Sequence, residues 1–319
     1  MGTRLGFIGL GLMGTPIATH LIRGGYSVVV YDVRDAAHEP LVQMGARRAE
    51  SPRAVAEASE IVLTSLPGPH EVERVALGPD GIIAGLPPDG VYIDLSTNSP
   101  TVIREIDRRF RERGCHVLDA PVGGRSPLAW EGELQVMVGG EPAVFERCLP
   151  LLESIGNRVT YCGASGSGMV CKLMHNCINA VFRQVTAECF TAGVKAGVAA
   201  EVLWEVVRNG ITAGGSEINR TMRDTWLAGE FDKGTGYLEM HYKDTLLAAE
   251  LGDELDVPMA HTQLTLVRLK EAMDRGWGRR EGTVSLLLQE ELAGVEVRFP
   301  TTAPADPAAR IAHGESATL

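Results

Sequence analysis

The chain has 319 residues, 45% hydrophobic and 22% charged, and a formal net charge of −11. That length buries one large core or two modest ones, and an acidic chain without a long basic run argues against nucleic acid or an acidic membrane as a partner. No apolar stretch reaches the roughly 20 residues of a spanning helix, and the chain enters a strand with no signal peptide before it, so a cytoplasmic protein is expected.

An apolar run from Leu5 to Ile8 leads into Gly9-Leu10-Gly11-Leu12-Met13-Gly14. The helical spacing of Ile17, Ala18, Leu21 and Ile22 follows, and a second apolar run, Val28 to Tyr31, ends at Asp32. This strand, turn, helix and strand have the pattern of a dinucleotide site. Gly9 permits the turn, Gly11 admits a pyrophosphate, and Gly14 lets the helix close on the strand. The pyrophosphate then meets free N–H groups at the helix N-terminus. A carboxylate at Asp32 suits a ribose 2′-OH and repels a 2′-phosphate. Arg34 is either the alternative phosphate partner or a solvated loop cation, and NAD is expected over NADP.

Further strand candidates are 61–66, ending in Pro67-Gly68, and 91–95, ending in Ser96-Thr97. Residues 101–113 have the pattern of a charged amphipathic helix. Runs at 116–118, 134–138 and 159–161 complete the strands, and 116–118 leads into Asp119-Ala120-Pro121. Strands alternating with helices predict an α/β, Rossmann-type, mostly parallel doubly wound sheet over residues 1–162.

Beyond Cys162 the pattern changes. A glycine-rich segment, 163–168, opens a long helix over about 169–195. Helical spacing recurs at 202–207, 246–255 and 264–273. An all-α domain over 163–298 is expected, joined through the long helix. The Pro-, Ala- and Thr-rich segment 299–319 reads as a disordered tail. The cysteines at 115, 148, 162, 171, 177 and 189 form no C-x-x-C pair and read as reduced thiols. On a helix Cys171 and His175 share a face that Cys177 leaves, so no metal site is expected.

The spacing Gly166-x-Gly168-x-x-x-Lys172-x-x-x-Asn176 sets Lys172 and Asn176 on one helix face. A lysine in a partly dry cleft can exchange protons near neutrality, and an amide one turn away can orient an oxygen. The plain alternative is a surface lysine beside a helical asparagine.

On four motifs the chain resembles the β-hydroxyacid dehydrogenase family, whose members include 3-hydroxyisobutyrate dehydrogenase and tartronate semialdehyde reductase. These are Gly6 to Gly14, Asp119-Ala-Pro-Val-Gly-Gly124, the Gly166 to Asn176 cluster, and Tyr242-Lys243-Asp244, and the likeness runs through nearly all of 4–295. The resemblance implies Lys172 as catalytic acid/base, Asn176 as the group that positions substrate, and Lys243 against the nicotinamide end of the site. Leu66-Pro67 and Ser96-Thr97 match segments lining the adenosine and nicotinamide-ribose portions. The implied cofactor contacts are Gly9, Gly11, Leu12, Met13, Gly14, Asp32, Val33, Leu66, Pro67, Thr97 and Lys243. A homodimer or homotetramer held through the helical domain is also implied.

The substrate loop departs from the family pattern. The usual serine after Asp-x-Pro-Val is replaced by Gly123, and Gly124, Arg125 and Ser126 follow. Sulfolactaldehyde reductases also replace that serine and carry a nearby basic residue, though in the order Gly-Arg-Thr-Ser. Gly123, Gly124, Ser126 and Arg125 are therefore the expected holders of a small anionic substrate, with Arg125 either gripping an acid group or facing solvent. The resulting expectation is an NAD-dependent dehydrogenase of a short 3-hydroxy acid. The alternatives are a reductase of a sulfonated or dicarboxylic semialdehyde and a non-catalytic NAD-binding protein. The resemblance disfavours an imine reductase, which usually lacks the lysine. A decarboxylating 6-phosphogluconate enzyme would need a longer helical part.

Overall fold

The computed structural model describes residues 3–124, 126–195, 197–209, 218–233, 236–254 and 259–299. Arg125 and the tail from Pro300 onward lie outside the described residues.

Among the described residues nine strands form one sheet: β1 Arg4–Ile8, β2 Ser27–Tyr31, β3 Arg47–Arg48, β4 Ile61–Thr64, β5 Val91–Asp94, β6 His116–Asp119, β7 Val122–Gly123, β8 Gln135–Gly140 and β9 Arg158–Gly163. Their order is β3-β2-β1-β4-β5-β6-β8-β7, with β9 also pairing with β8. The first six strands are parallel, and β8 runs antiparallel to β6 and β7. The doubly wound α/β fold is present, with three features the sequence pattern did not signal. Strand β3 is two exposed arginines with no apolar alternation, β7 is only two residues long, and the reversal at β8 leaves no mark in hydropathy.

The strands are apolar for a physical reason. Helices cover both faces of a parallel sheet, so both sets of alternating side chains are buried. Leu5, Phe7, Val28, Val30, Leu63 and Ile93 pack on one face. Ile8, Val29, Val62 and Tyr92 pack on the other, against Ile103, Ile106 and Phe110. Those last three form the buried stripe of the helix Pro100–Arg111, whose outer face carries Glu105 paired with Arg108 and Arg109. The stripe holds the helix, because exposed pairs of this kind are screened by solvent and contribute little.

The chain divides into two compact units, Met1–Ile178 with Tyr242–Leu264, and Asn179–His241 with Thr265–Leu319. The second unit is helical among its described residues, apart from one bridge between Tyr237 and Glu281. Its core centres on Trp226, which is fully buried, tilted against Phe190, and donates its indole N–H to Glu290. Trp226 ends a π-helical turn, Ile218–Trp226, that the sequence pattern did not signal. The expected helices appear within Ser167–Lys195, Ala200–Asn209, Leu238–Glu254 and Ala260–Asp274, with the last residue of the expected 246–255 run outside the described residues. Among the described residues no helix is long and apolar enough to cross a membrane.

Candidate active site

The loop after β1 is shaped by its glycines. Gly9 takes φ +94°, a left-handed conformation that other residues rarely adopt, and its N–H donates to the Tyr31 carbonyl at 3.0 Å. A Cβ on Gly14 would lie 1.8 Å from the Gly9 carbonyl oxygen, so only glycine lets the helix Gly14–Arg23 begin this close. Above Gly11 there is open space, and no side chain caps the helix start. Uncapped N–H groups over open space fit a pyrophosphate. Leu12 and Val33 are exposed at the rim, with Met13 between the loop and the helix.

Asp32 follows β2 and is 8% exposed. Its Oδ2 accepts the Leu10 N–H at 2.7 Å, which ties it to the glycine loop. The Arg34 guanidinium grips both carboxylate oxygens, with Nε at 3.0 Å from Oδ1, and also donates to the Leu10 carbonyl. Burial raises the Asp32 carboxyl, but the bonds from Arg34 and Leu10 outweigh it and hold the group below its ordinary value. His38 Nε2 accepts the Asp32 N–H at 2.9 Å. His38 was missed in the sequence because a side chain bonding back to a strand-end amide has no motif.

At the ends of β4 and β5 the next two loops are tied to one another. Asp94, fully buried, accepts from Thr64 Oγ1 at 2.9 Å, the Ser96 N–H at 3.0 Å and the Asn98 amide at 3.2 Å. Ser96 Oγ in turn accepts the Leu66 N–H. Burial raises the Asp94 carboxyl against the pull of these bonds. Lys243 Nζ then donates to the carbonyls of Pro67 at 3.0 Å and Thr97 at 3.4 Å, and pairs with Asp244 at 3.0 Å. Asp244 accepts the Asn176 amide at 2.6 Å. Asn176, Lys243, Pro67 and Thr97 are thereby linked in one polar chain, with Leu66 joined through Ser96. Asp244 stood in a quoted motif, but its part in the chain was missed.

Asp119 ends β6 and accepts the N–H groups of Gly166 and Met169, which start the long helix. Burial pushes its carboxyl up to about 6. Lys172 lies one turn further on and is 8% exposed, so it is not a solvated surface lysine. Asn176 lies another turn along the same face. Gly123 is buried on β7, and Gly124 turns the chain at φ +120°. The Ser126 hydroxyl donates to the Leu12 carbonyl at 3.4 Å and so touches the glycine loop. Asp32 and Val33 remain apart from this group, at the end of β2.

The chain matches two family profiles. One describes the NAD binding domain of 6-phosphogluconate dehydrogenase and covers residues 4–163. The other, described as the NAD-binding region of NADP-dependent 3-hydroxyisobutyrate dehydrogenase, covers 166–288. A 2-(hydroxymethyl)glutarate dehydrogenase of Eubacterium barkeri is 33% identical over 295 residues, 92% of this chain and 97% of its own. An NAD-dependent L-serine dehydrogenase of Pseudomonas aeruginosa is 34% identical over 290 residues, 88% of this chain and 96% of its own. The solved structure of a Mycobacterium tuberculosis 3-hydroxyisobutyrate dehydrogenase with L-serine superposes with a TM-score of 0.81. It is 25% identical, and the match covers 91% of this chain and 99% of that one.

Proposed function

Because the chain belongs to the β-hydroxyacid dehydrogenase family, we propose that it oxidises short acids of the type HOCH2–CH(R)–COO⁻ with NAD, using Lys172 as acid/base. The wider statement needs no proposal: it is an NAD(P)-dependent oxidoreductase of hydroxy acids. The observation that carries the narrower reading is Lys172, buried one turn before an asparagine whose amide is fixed by Asp244. The relatives support the substrate class. 3-Hydroxyisobutyrate, L-serine and 2-(hydroxymethyl)glutarate all carry a primary alcohol β to a carboxylate and differ in R.

NAD(P) supplies the hydride acceptor in oxidation and the donor in reduction. The protein does the rest. Loop N–H groups at Gly123 and Gly124, with Ser126, hold the carboxylate. Asn176 orients the hydroxyl oxygen, and Lys172 Nζ takes the hydroxyl proton as the C3 hydride leaves, giving the aldehyde. In reduction Lys172 returns that proton. Lys243 holds the loops at Pro67 and Thr97 in register, and a closed, dry cleft strengthens each contact. The test is a panel of 3-hydroxyisobutyrate, L-serine, glycerate, 2-(hydroxymethyl)glutarate, 4-hydroxybutyrate and dihydroxypropanesulfonate, with NAD reduction followed. Turnover of 4-hydroxybutyrate alone would refute the class, and turnover of nothing would favour a non-catalytic binder.

A dicarboxylic or sulfonated substrate is the second reading, favoured by the E. barkeri relative and by Arg125 in place of the usual loop pattern. Arg125→Ala should then lower kcat/KM for 2-(hydroxymethyl)glutarate roughly 10- to 150-fold, a loss of about 1.5–3 kcal/mol, and leave 3-hydroxyisobutyrate nearly unchanged. Equal, small changes for both would make Arg125 a solvated residue.

NAD over NADP is supported by the nearly buried Asp32, whose acceptors suit a ribose hydroxyl, while Arg34 is already engaged with that carboxylate. Steady-state kinetics should give a kcat/KM for NAD at least about tenfold above NADP. A preference for NADP would mean that Arg34 leaves Asp32 for the 2′-phosphate. We also assign residues 1–162 to dinucleotide binding and 163–298 to substrate and subunit contacts, supported by the junction of the two matched regions. A homodimer or homotetramer is supported by Val202 and Val206, exposed one turn apart on the helix Ala200–Asn209. Light scattering reads the oligomer.

A further inference from the structure

Neither the cofactor contacts nor the substrate loop uses Asp119. Its side chain has no exposed surface. Oδ1 accepts the Gly166 N–H at 2.7 Å and Oδ2 the Met169 N–H at 2.9 Å. These are donors that the start of a helix leaves without intrahelical partners. The same face of the helix start also lies close against the sheet. A Cβ at Gly168 would lie 2.3 Å from the Met137 carbonyl of β8 and 2.9 Å from Asp119 Oδ2. The first turn of the helix Ser167–Lys195 thus rests tightly on β6 and β8, with the carboxylate as the fastening. Lys172 stands three residues beyond Met169, about 4.5 Å along the axis. Any tilt or slip of the first turn is carried directly to its backbone.

We propose that Asp119 is a positioning residue for Lys172: by bonding the first N–H groups of the long helix it sets the depth and direction from which the lysine reaches substrate. The proposal rests on the reading of Lys172 as acid/base. The nearest charged neighbour on the sheet is Asp94, in register on β5, and Cys162 on β9 also lies close. Work at pH 8 keeps Asp119 ionised.

The test is a double-mutant cycle with Asp119→Asn, made alone and in a Lys172→Ala background, with Asp119→Ser as a second variant. The asparagine keeps the size and one acceptor oxygen but turns an NH2 toward one of the two N–H donors. The serine leaves room for a water between its hydroxyl and the helix start. With Lys172 present, kcat should fall about 10–100-fold, while the substrate KM and the NADH dissociation constant, read by fluorescence, change less than about threefold. In the Lys172→Ala background the same substitution should change the residual rate by less than about threefold. Equal losses in both backgrounds, an unchanged kcat, loss of NADH binding together with kcat, or failure of both variants to fold would each overturn the positioning role. Near-normal turnover of Lys172→Ala alone would instead remove the acid/base reading on which it rests.

Discussion

Lys172→Ala should lower kcat by about 10²–10⁴-fold and leave NADH binding almost unchanged. The size follows from the role: without an acid/base the alkoxide must form or be quenched through water in a site built to exclude it. The selectivity follows from the architecture. The proposed dinucleotide cradle comprises Gly9 to Gly14 and Asp32 at the ends of β1 and β2, and its bonds run between Leu10, Asp32, Arg34 and His38. None of them passes through Lys172. NADH fluorescence titration and single-turnover hydride transfer measure the two quantities separately. A well-folded variant with near-normal turnover would transfer the proton role to another group.

Asp94→Ala should have the largest effect on stability. The carboxylate is the shared acceptor for the Thr64 hydroxyl, the Ser96 N–H and the Asn98 amide, all buried. Its removal strands several donors at once, at about 1–3 kcal/mol for each one left unsatisfied. Relief of a buried carboxylate offsets part of this, for a net loss of roughly 3 kcal/mol. A fall in Tm of about 6–12 °C is expected by calorimetry. Because Ser96 also holds the Leu66 N–H, NADH affinity should weaken too. Asp94→Asn, which keeps an acceptor oxygen, should show a smaller fall. A Tm within about 2 °C of the parent would mean that water takes over the three donors.

The parts of this molecule that were legible in its sequence are those where the chemistry demands a local pattern. Gly9, Gly11 and Gly14 are needed by one turn, Asp32 ends the very next strand, and Lys172 and Asn176 are a helical turn apart. Asp94 and Asp119 were not legible in the same way. Asp94 sits inside the expected strand at 91–95 with nothing to mark its role, and the expected strand at 116–118 stopped one residue short of Asp119. Their partners lie on other segments, as far as Met169 is from Asp119, and no spacing rule connects them. The Asn176–Asp244–Lys243 chain joins two helices for the same reason. The reversal at β8 depends on which edge is open when β6 ends, a choice made by the whole sheet. The arginines of β3 pair through their backbones alone, so side-chain type tells nothing.

Strand β7 meets β8 through only two residue pairs, Val122 with Val136 and Gly123 with Gln135, on the antiparallel flank of the sheet. The parallel strands, with the dinucleotide cradle, are built without it. The segment proposed to hold the substrate's acid group is therefore hung on the scaffold like an interchangeable fitting, paired with β8 and touching the glycine loop through Ser126. Val122, Gly123 and Gly124 can then be replaced without touching the pairing of β1 with β2. New specificity in this architecture is cheapest to evolve, and to engineer, between Val122 and Ser126.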